Sequence, residues 1–318
     1  MPHVLVAGKL HPSGLALLDA AAGVTWDYVE DISEESYAPL IGKADGLVIR
    51  TQPMTAATVA RADRLKIVSR HGVGYDAVDV AALTARGIAL AVVGDVNSVS
   101  VAEHAMMLLL AAAKRVTEAD NAIRHGSWGW RNGLKSVELG GKRLLILGFG
   151  RSGRHLARMA QGFRMEVCVH DPFLSADPEP PVTRVADLTD GLRTADFVSI
   201  HIPRTDRPLI GAAELAAMKR GAIIVNTSRG GIVDEAALAT ALSSGHLGGA
   251  GFDVFDTEPP GPDSPLVRAE RMVITPHIAG LTAECGERMA VQSVQNVLDF
   301  LAGRIDPALV VNGVTQNG

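Results

Sequence analysis

Cysteine, aromatic side chains and long apolar runs are all scarce in this chain. Of its 318 residues two are cysteines, Cys168 and Cys285, and neither belongs to a CxxC or a mixed His/Cys pattern. That leaves no disulfide framework and no thiolate metal site to read, and it points to a reducing compartment. The ten histidines are scattered, so no metal site is expected. Aromatics are 4% of the residues, and Ala and Gly fill the space they leave, which suits close packing of helices on a sheet. The longest apolar run, 105–113, falls far short of the roughly 20 residues that span a bilayer. The first residues, His3-Val4-Leu5-Val6-Ala7-Gly8, lack the charged and apolar regions of a signal peptide, so a cytoplasmic setting is expected. No basic run of five occurs and the net charge is -5. Nucleic acid and anionic membrane surfaces are therefore not expected partners.

What is present is an ordinary globular composition, 47% hydrophobic and 20% charged, over a length that suits two domains. Short apolar, β-branched segments at 4–7, 24–29, 46–49, 66–69 and 88–93 alternate with helical patterns. After a predicted helix over 99–125 and an irregular stretch carrying Trp128, Trp130, Arg131 and Lys135, the alternation restarts. Its strands are predicted at 143–147, 166–170, 197–200, 222–225, 250–253 and 272–275, and a final helix at 285–302. Such alternation predicts an α/β protein with doubly wound parallel sheets. The middle of the 99–125 helix is apolar nearly all round, which predicts burial between domains or in a subunit interface.

Gly148-Phe149-Gly150-Arg151-Ser152-Gly153 is a GxGxxG loop set between a predicted strand and a predicted helix, the context that makes this pattern informative. Gly148 permits the tight turn, Gly150 lets a pyrophosphate approach the backbone, and Gly153 lets the helix pack close on the strand. The helix N-terminus offers unpaired N–H groups to the phosphates. The next strand ends in Asp171, roughly 20 residues on, where a carboxylate accepts from the adenosine ribose hydroxyls. That carboxylate repels a 2′-phosphate and favours NAD over NADP, although His170 and Arg151 stand near enough to offset part of the repulsion.

The later strands also finish in polar groups: His201-Ile202-Pro203, Asn226-Thr227-Ser228-Arg229, Asp253 and His277. In an open α/β sheet that edge is where ligands bind. Removing a hydride from a 2-hydroxy acid requires a cation for the carboxylate, a base for the hydroxyl proton and a group that orients the base. Arg229 has the fork geometry for a carboxylate, and Gly230 and Gly231 beside it would leave room for a ligand. His277, in Pro276-His277-Ile278-Ala279-Gly280, is the candidate base. Glu258, in Asp256-Thr257-Glu258-Pro259-Pro260, would accept from its other nitrogen, fixing the tautomer and favouring the imidazolium. Taken singly, Arg229 is equally a structural cation and Glu258 equally a solvated surface group.

Together these motifs resemble the D-isomer-specific 2-hydroxyacid dehydrogenases, above all their D-3-phosphoglycerate dehydrogenase and hydroxypyruvate/glyoxylate reductase branches. The matching segments are His71-Gly72-Val73-Gly74-Tyr75-Asp76, 138–153 continuing to Asp171, 226–238, 251–260 and 276–282, in order over nearly the whole chain. The resemblance implies NAD as cofactor and Arg229, Glu258 and His277 as the catalytic trio. It implies that Asp253 faces the nicotinamide carboxamide and that His201, Pro203 and Thr205 line the adenine and pyrophosphate path. Thr227, Ser228 and Gly280 fall in the same cofactor-facing segments, and Val73 and Gly74 would offer backbone N–H groups to the substrate carboxylate.

The implied fold is a flavodoxin-like substrate domain, 1–98 plus 287–318, and a Rossmann NAD-binding domain, 99–286, with a cleft between. A homodimer through the nucleotide domain is implied as well. Ser152 departs from the usual aliphatic residue, harmlessly where backbone makes the contacts. The chain ends at Gly318, so the regulatory domain of longer phosphoglycerate dehydrogenases, with its feedback control by serine, is not expected. Arginines matching Arg50 and Arg70 hold a substrate phosphate in the phosphoglycerate branch, which ranks 3-phosphoglycerate or a similar anionic acid first, then hydroxypyruvate or glyoxylate, then lactate-like acids. A methyltransferase would have no need of the trio, and formate dehydrogenases carry glutamine where Glu258 stands. A non-catalytic NAD(H)-sensing protein is the alternative of another class.

Overall fold

The computed structural model describes residues 1–315 and divides the chain into two compact units, Met1–Asn97 joined by the chain from Leu281, and Ser98–Gly280. Residues 281–286 thus lie with the first unit, ahead of the expected crossing at 287. Residues 316–318 of the expected first domain lie outside the described residues.

In the first unit β1 (His3–Ala7), α1 (Pro12–Ala20), β2 (Thr25–Val29), α2 (Glu34–Tyr37), β3 (Gly46–Ile49), α3 (Ala56–Ala60), β4 (Ile67–Arg70), α4 (Val80–Ala85) and β5 (Ala89–Ala91) follow in order. The sheet runs β2-β1-β3-β4-β5 and every pairing is parallel. That is the flavodoxin-like order. Side chains alternate between its two faces. Leu5, Leu47, Ile49, Val68 and Leu90 face one apolar layer, and Val4, Val6, Val48, Ile67 and Ala89 face the other. The second layer is closed by Ala290, Val294, Val297 and Phe300 from the last helix, whose range is given below. Beyond that helix the chain pads the open edge of β5, where Val311 N–H donates to the Leu90 carbonyl and Asn312 Oδ1 accepts from Leu90 N–H at 3.0 Å.

The second unit opens with α5 (Ser98–Lys114) and α6 (Val116–Arg124), then alternates β6 (Arg143–Leu147), α7 (Arg151–Gly162), β7 (Glu166–His170), β8 (Thr183–Arg184), α8 (Leu188–Thr194), β9 (Phe197–Ile200), α9 (Ala212–Ala217), β10 (Ile223–Asn226), α10 (Glu235–Ser243), β11 (Gly249–Phe252), α11 (Pro265–Arg268) and β12 (Met272–Ile274). The helix that closes the first unit is α12 (Ala283–Leu301). The seven-stranded sheet runs β12-β11-β10-β9-β6-β7-β8, all parallel, which is the Rossmann order with one strand added beyond β11. The two-residue β8 carried no periodic signal and was not expected.

Two expectations about the long helix are corrected. It is two helices, because Arg115 takes a left-handed φ of 52° and its guanidinium bonds forward to Glu118 Oε1. A non-glycine residue in that region ends regular α-helix. The apolar first half, α5, finds its burial inside its own unit. Ala105, Leu108, Leu109 and Ala112 pack on the sheet of that unit, beside Leu144, Ile146 and Val225. The backbone of Gly251 lets the Leu108 side chain close on β11, since a Cβ there would stand 2.8 Å from Leu108 Cβ.

Candidate functional site

Parallel strands place every strand end on one edge, so the polar residues that follow β6, β7, β9, β10, β11 and β12 converge there. The glycine loop begins where β6 ends. Gly148 has φ +90°, and a Cβ on it would lie 2.5 Å from the His201 carbonyl oxygen. A Cβ on Gly153 would run into the Gly148 carbonyl. Both glycines are thus demanded by the packing of the chain on itself. Gly150, the N-cap of α7, differs: nothing lies within 4 Å of where its Cβ would be. It leaves an open cradle over the helix N-terminus, shaped for phosphate oxygens. Arg151 is exposed and Ser152 half-buried beside it. Asp171 Oδ2 accepts from Phe149 N–H at 2.9 Å and Oδ1 from Phe173 N–H at 2.9 Å, so its carboxylate is tied to the glycine loop.

In the loop after β9, His201 Nε2 lies 2.8 Å from Ser199 Oγ, and burial pushes its pKa down to about 4, keeping the ring neutral. Pro203 is exposed, and the Thr205 hydroxyl donates to the Arg207 carbonyl at 2.7 Å. After β10, Thr227 is more than nine-tenths buried, yet its Oγ1 has no partner among the described residues. A buried hydroxyl left unpaired is costly. With the Gly150 cradle and the Asp171 carboxylate on the same edge, this orphan fits the residues to a dinucleotide. Ser228 is held from behind, its N–H and hydroxyl both donating to Asn226 Oδ1 at 3.0 and 2.9 Å.

Arg229 is positioned by the same asparagine, whose Nδ2 donates to the Arg229 carbonyl at 2.8 Å, and its Nη1 donates to the Ser228 carbonyl at 2.6 Å. Gly230 does not open space for a ligand as expected, because its missing Cβ would overlap the Phe255 carbonyl. That glycine instead lets the Arg229 loop close on the segment bearing Glu258. Glu258 Oε1 accepts from Phe255 N–H at 3.0 Å, and Oε2 meets His277 Nδ1 at 2.6 Å. Burial alone would raise the Glu258 pKa. The His277 and Phe255 hydrogen bonds, with the charges of His277 and Arg229, outweigh it and hold the group ionised below the usual carboxylate range.

Asp253 has no exposed surface. Its Oδ1 accepts from the Thr275 hydroxyl at 2.5 Å and from Ile278 N–H at 2.9 Å, and its Oδ2 from Ala279 N–H at 2.8 Å. The residue implied to face the nicotinamide carboxamide is, in this structure, the buried anchor of the loop that carries His277 and ends at Gly280. Thr275 and His104, which lies 2.9 Å from Thr275 Oγ1, were given no role by the sequence, and Asn226 was read only as a polar strand end. Their only signal was a polar residue ending or interrupting an apolar element. Among the described residues no group of three His, Cys, Asp or Glu is placed to hold a metal ion.

In the first unit, Arg70 ends β4 opposite Ile49, and Arg50 follows Ile49, so both arginines leave the carboxyl edge of that sheet. Arg50 Nη1 donates to the Lys9 carbonyl at 2.8 Å and Arg70 Nη1 to the His71 carbonyl at 2.8 Å. Val73 and Gly74 follow in the same turn, both half-buried. Burial, and then the charges of Arg50 and Arg70, push buried His71 down to about 4.

Residues 106–279 match the family described as D-isomer specific 2-hydroxyacid dehydrogenase, NAD binding domain. The chain is similar to D-3-phosphoglycerate dehydrogenase of Mycobacterium bovis, 40% identical over 322 residues and covering 100% of this chain and 60% of that protein. It therefore spans about 60% of the length of the phosphoglycerate dehydrogenases it matches. Glyoxylate reductase of Aeropyrum pernix is 38% identical, with 99% of this chain and 97% of that protein covered. Among solved structures, the TT0316 protein of Thermus thermophilus superposes with a TM-score of 0.88 at 36% identity, covering 96% of this chain and 98% of that one.

The glycines give a paired test. Gly150→Ala is expected to melt like the native protein while weakening NADH binding about tenfold or more, because its methyl fills the cradle. Gly153→Ala is expected to lose stability, roughly 1–3 kcal/mol in urea unfolding, because the chain has no room for it. Equal effects of the two on melting would contradict the assignment.

His71 gives a pH test. Its pKa is depressed from 6.5 to about 4 by folding, so the stability of its neutral burial is full above pH 6.5 and is lost as pH falls toward 4. Urea unfolding between those limits should show a smaller loss for His71→Gln than for the native chain. An identical slope would count against a buried neutral His71.

Proposed function

Because the chain belongs to the D-isomer specific 2-hydroxyacid dehydrogenases, we propose that it interconverts a small D-2-hydroxy acid and its 2-keto acid with NAD, 3-phosphoglycerate or a similarly anionic acid being the preferred substrate class. The observation that carries this reading is the 2.6 Å contact between Glu258 Oε2 and His277 Nδ1, which leaves Nε2 as the nitrogen available to a substrate hydroxyl. Held by the glycine loop and Asp171, NAD would supply the hydride acceptor for C2. Arg229 holds the substrate carboxylate, and His277 takes the hydroxyl proton as the carbonyl forms. Glu258 keeps the imidazole oriented and balances the imidazolium. In the reverse direction His277 returns the proton to the alkoxide oxygen. Gly148, Gly150 and Gly153 with the start of α7 hold the pyrophosphate, and Asp171 takes the ribose hydroxyls.

Arg50 and Arg70 are the groups for a distal anion, and the matches to both phosphoglycerate dehydrogenases and glyoxylate reductases frame the choice. NADH oxidation against phosphohydroxypyruvate, hydroxypyruvate, glyoxylate and pyruvate is the test. A phosphorylated preference that Arg50→Gln or Arg70→Gln lowers roughly tenfold or more, by removing a charge-assisted contact, supports the anionic class. Equal loss on every substrate makes those arginines structural and favours hydroxypyruvate or glyoxylate. His277→Ala should lower turnover by about 10²–10⁴-fold while NADH still binds.

Two free cysteines suit a reducing, cytoplasmic setting. No helix of the described residues is long and apolar enough to cross a membrane. We also propose that a second copy of this chain covers α6 and the turn after it. The helix buries none of its residues, and Val116, Ile123, Trp128 and Leu134 are 50–88% exposed on one continuous segment. Sedimentation at micromolar concentration should give a dimer that Ile123→Asp with Trp128→Asp converts to a monomer; a monomeric native protein ends the proposal.

A further inference from the structure

The packed face of α5 is largely apolar; Ser98 and Ser100 are buried near its start, and His104 interrupts the apolar run that follows, with only 13% of its side chain exposed. His104 Nε2 lies 2.9 Å from Thr275 Oγ1, and that hydroxyl lies 2.5 Å from Asp253 Oδ1. An ionised carboxylate only accepts, so the Thr275 hydrogen is committed to Asp253. Its oxygen then accepts from His104, which sets the proton of the neutral ring on Nε2. Burial favours that neutral form, while the nearby Asp253 charge opposes it.

The chain His104, Thr275, Asp253 continues to Ile278 and Ala279, whose N–H groups both end on the Asp253 carboxylate. His277 N–H donates to the Asp253 carbonyl at 2.9 Å. His277 itself holds φ +53°, a conformation that a non-glycine residue keeps only when its surroundings impose it. We propose that His104 is a positioning residue for His277. By donating to Thr275 it aims that hydroxyl at Asp253, and the filled carboxylate holds the strained loop that presents the imidazole to Glu258 and to substrate. The inference rests on the reading of His277 as the proton-transfer group.

The test is steady-state reduction of the best 2-keto acid by purified His104→Leu, His104→Gln, Thr275→Val and Thr275→Ser. Gln and Ser keep the hydrogen-bonding atom, whereas Leu and Val keep volume only. His104→Leu and Thr275→Val should each lower kcat roughly tenfold with KM for NADH within about twofold, as a small misplacement of the base does. His104→Gln and Thr275→Ser should stay near native. The double variant should be no worse than either single one, since both break one chain. Where His104→Leu fails to fold, the Thr275 pair reads the same link from its other end.

Equal losses in His104→Gln and His104→Leu would overturn the proposal in favour of packing, and a native kcat in His104→Leu would overturn it outright. A native chain that turns over no 2-keto acid would instead bring down the catalytic reading, and this inference with it.

Discussion

A carboxylate with no access to water, Asp253, is the constraint on which the polar strand-end edge of the second unit depends. An ionised group in such a place must be filled with hydrogen bonds or it neutralises or unfolds its surroundings. Here the donors are a threonine hydroxyl and two successive backbone N–H groups, all from the segment that carries His277. Satisfying the charge and shaping the loop are therefore one event. The half-exposed Glu258–His277 pair adds little stability by itself, as exposed ion pairs do, and works as an orienting contact on a loop made rigid from below.

Glycine does two distinct jobs around this edge, and only the packing tells them apart. Gly148, Gly153 and Gly230 are demanded because backbone approaches backbone, joining the phosphate loop to the strand end of His201 and the Arg229 loop to the segment of Glu258. Gly150 alone of these faces open space. The open space at Gly150 is thus shaped by its neighbours, and the one glycine of the four that packing does not demand is surrounded by residues that must stay small for the fold.

The two halves of the predicted long helix divide labour in a similar way. α5 gives its apolar surface to the sheet and brings His104 against the end of β12, while α6 fully buries none of its residues. The left-handed Arg115 between them turns the second half out of the packed layer. One run of residues therefore supports the interior and offers an apolar face outward.

By itself the sequence determined the order and type of nearly every strand. Short β-branched runs bounded by glycine and polar residues leave little choice, and parallel pairing then puts Asp171, Arg229, Asp253 and His277 on one edge whatever the side-chain detail. The glycine loop and the Arg229, Glu258 and His277 set stood out because their residue types are what the proposed chemistry requires. Tertiary structure alone decided what those types do. Asp253 reads as one polar strand end among several until three donors surround it. Gly230 reads as room for substrate until the Phe255 carbonyl occupies that room, and His104 reads as one histidine in an apolar helix until Thr275 stands beside it. Local sequence carries period and propensity, whereas hydrogen-bond partners and close approaches join residues far apart in the chain, and only packing brings those together.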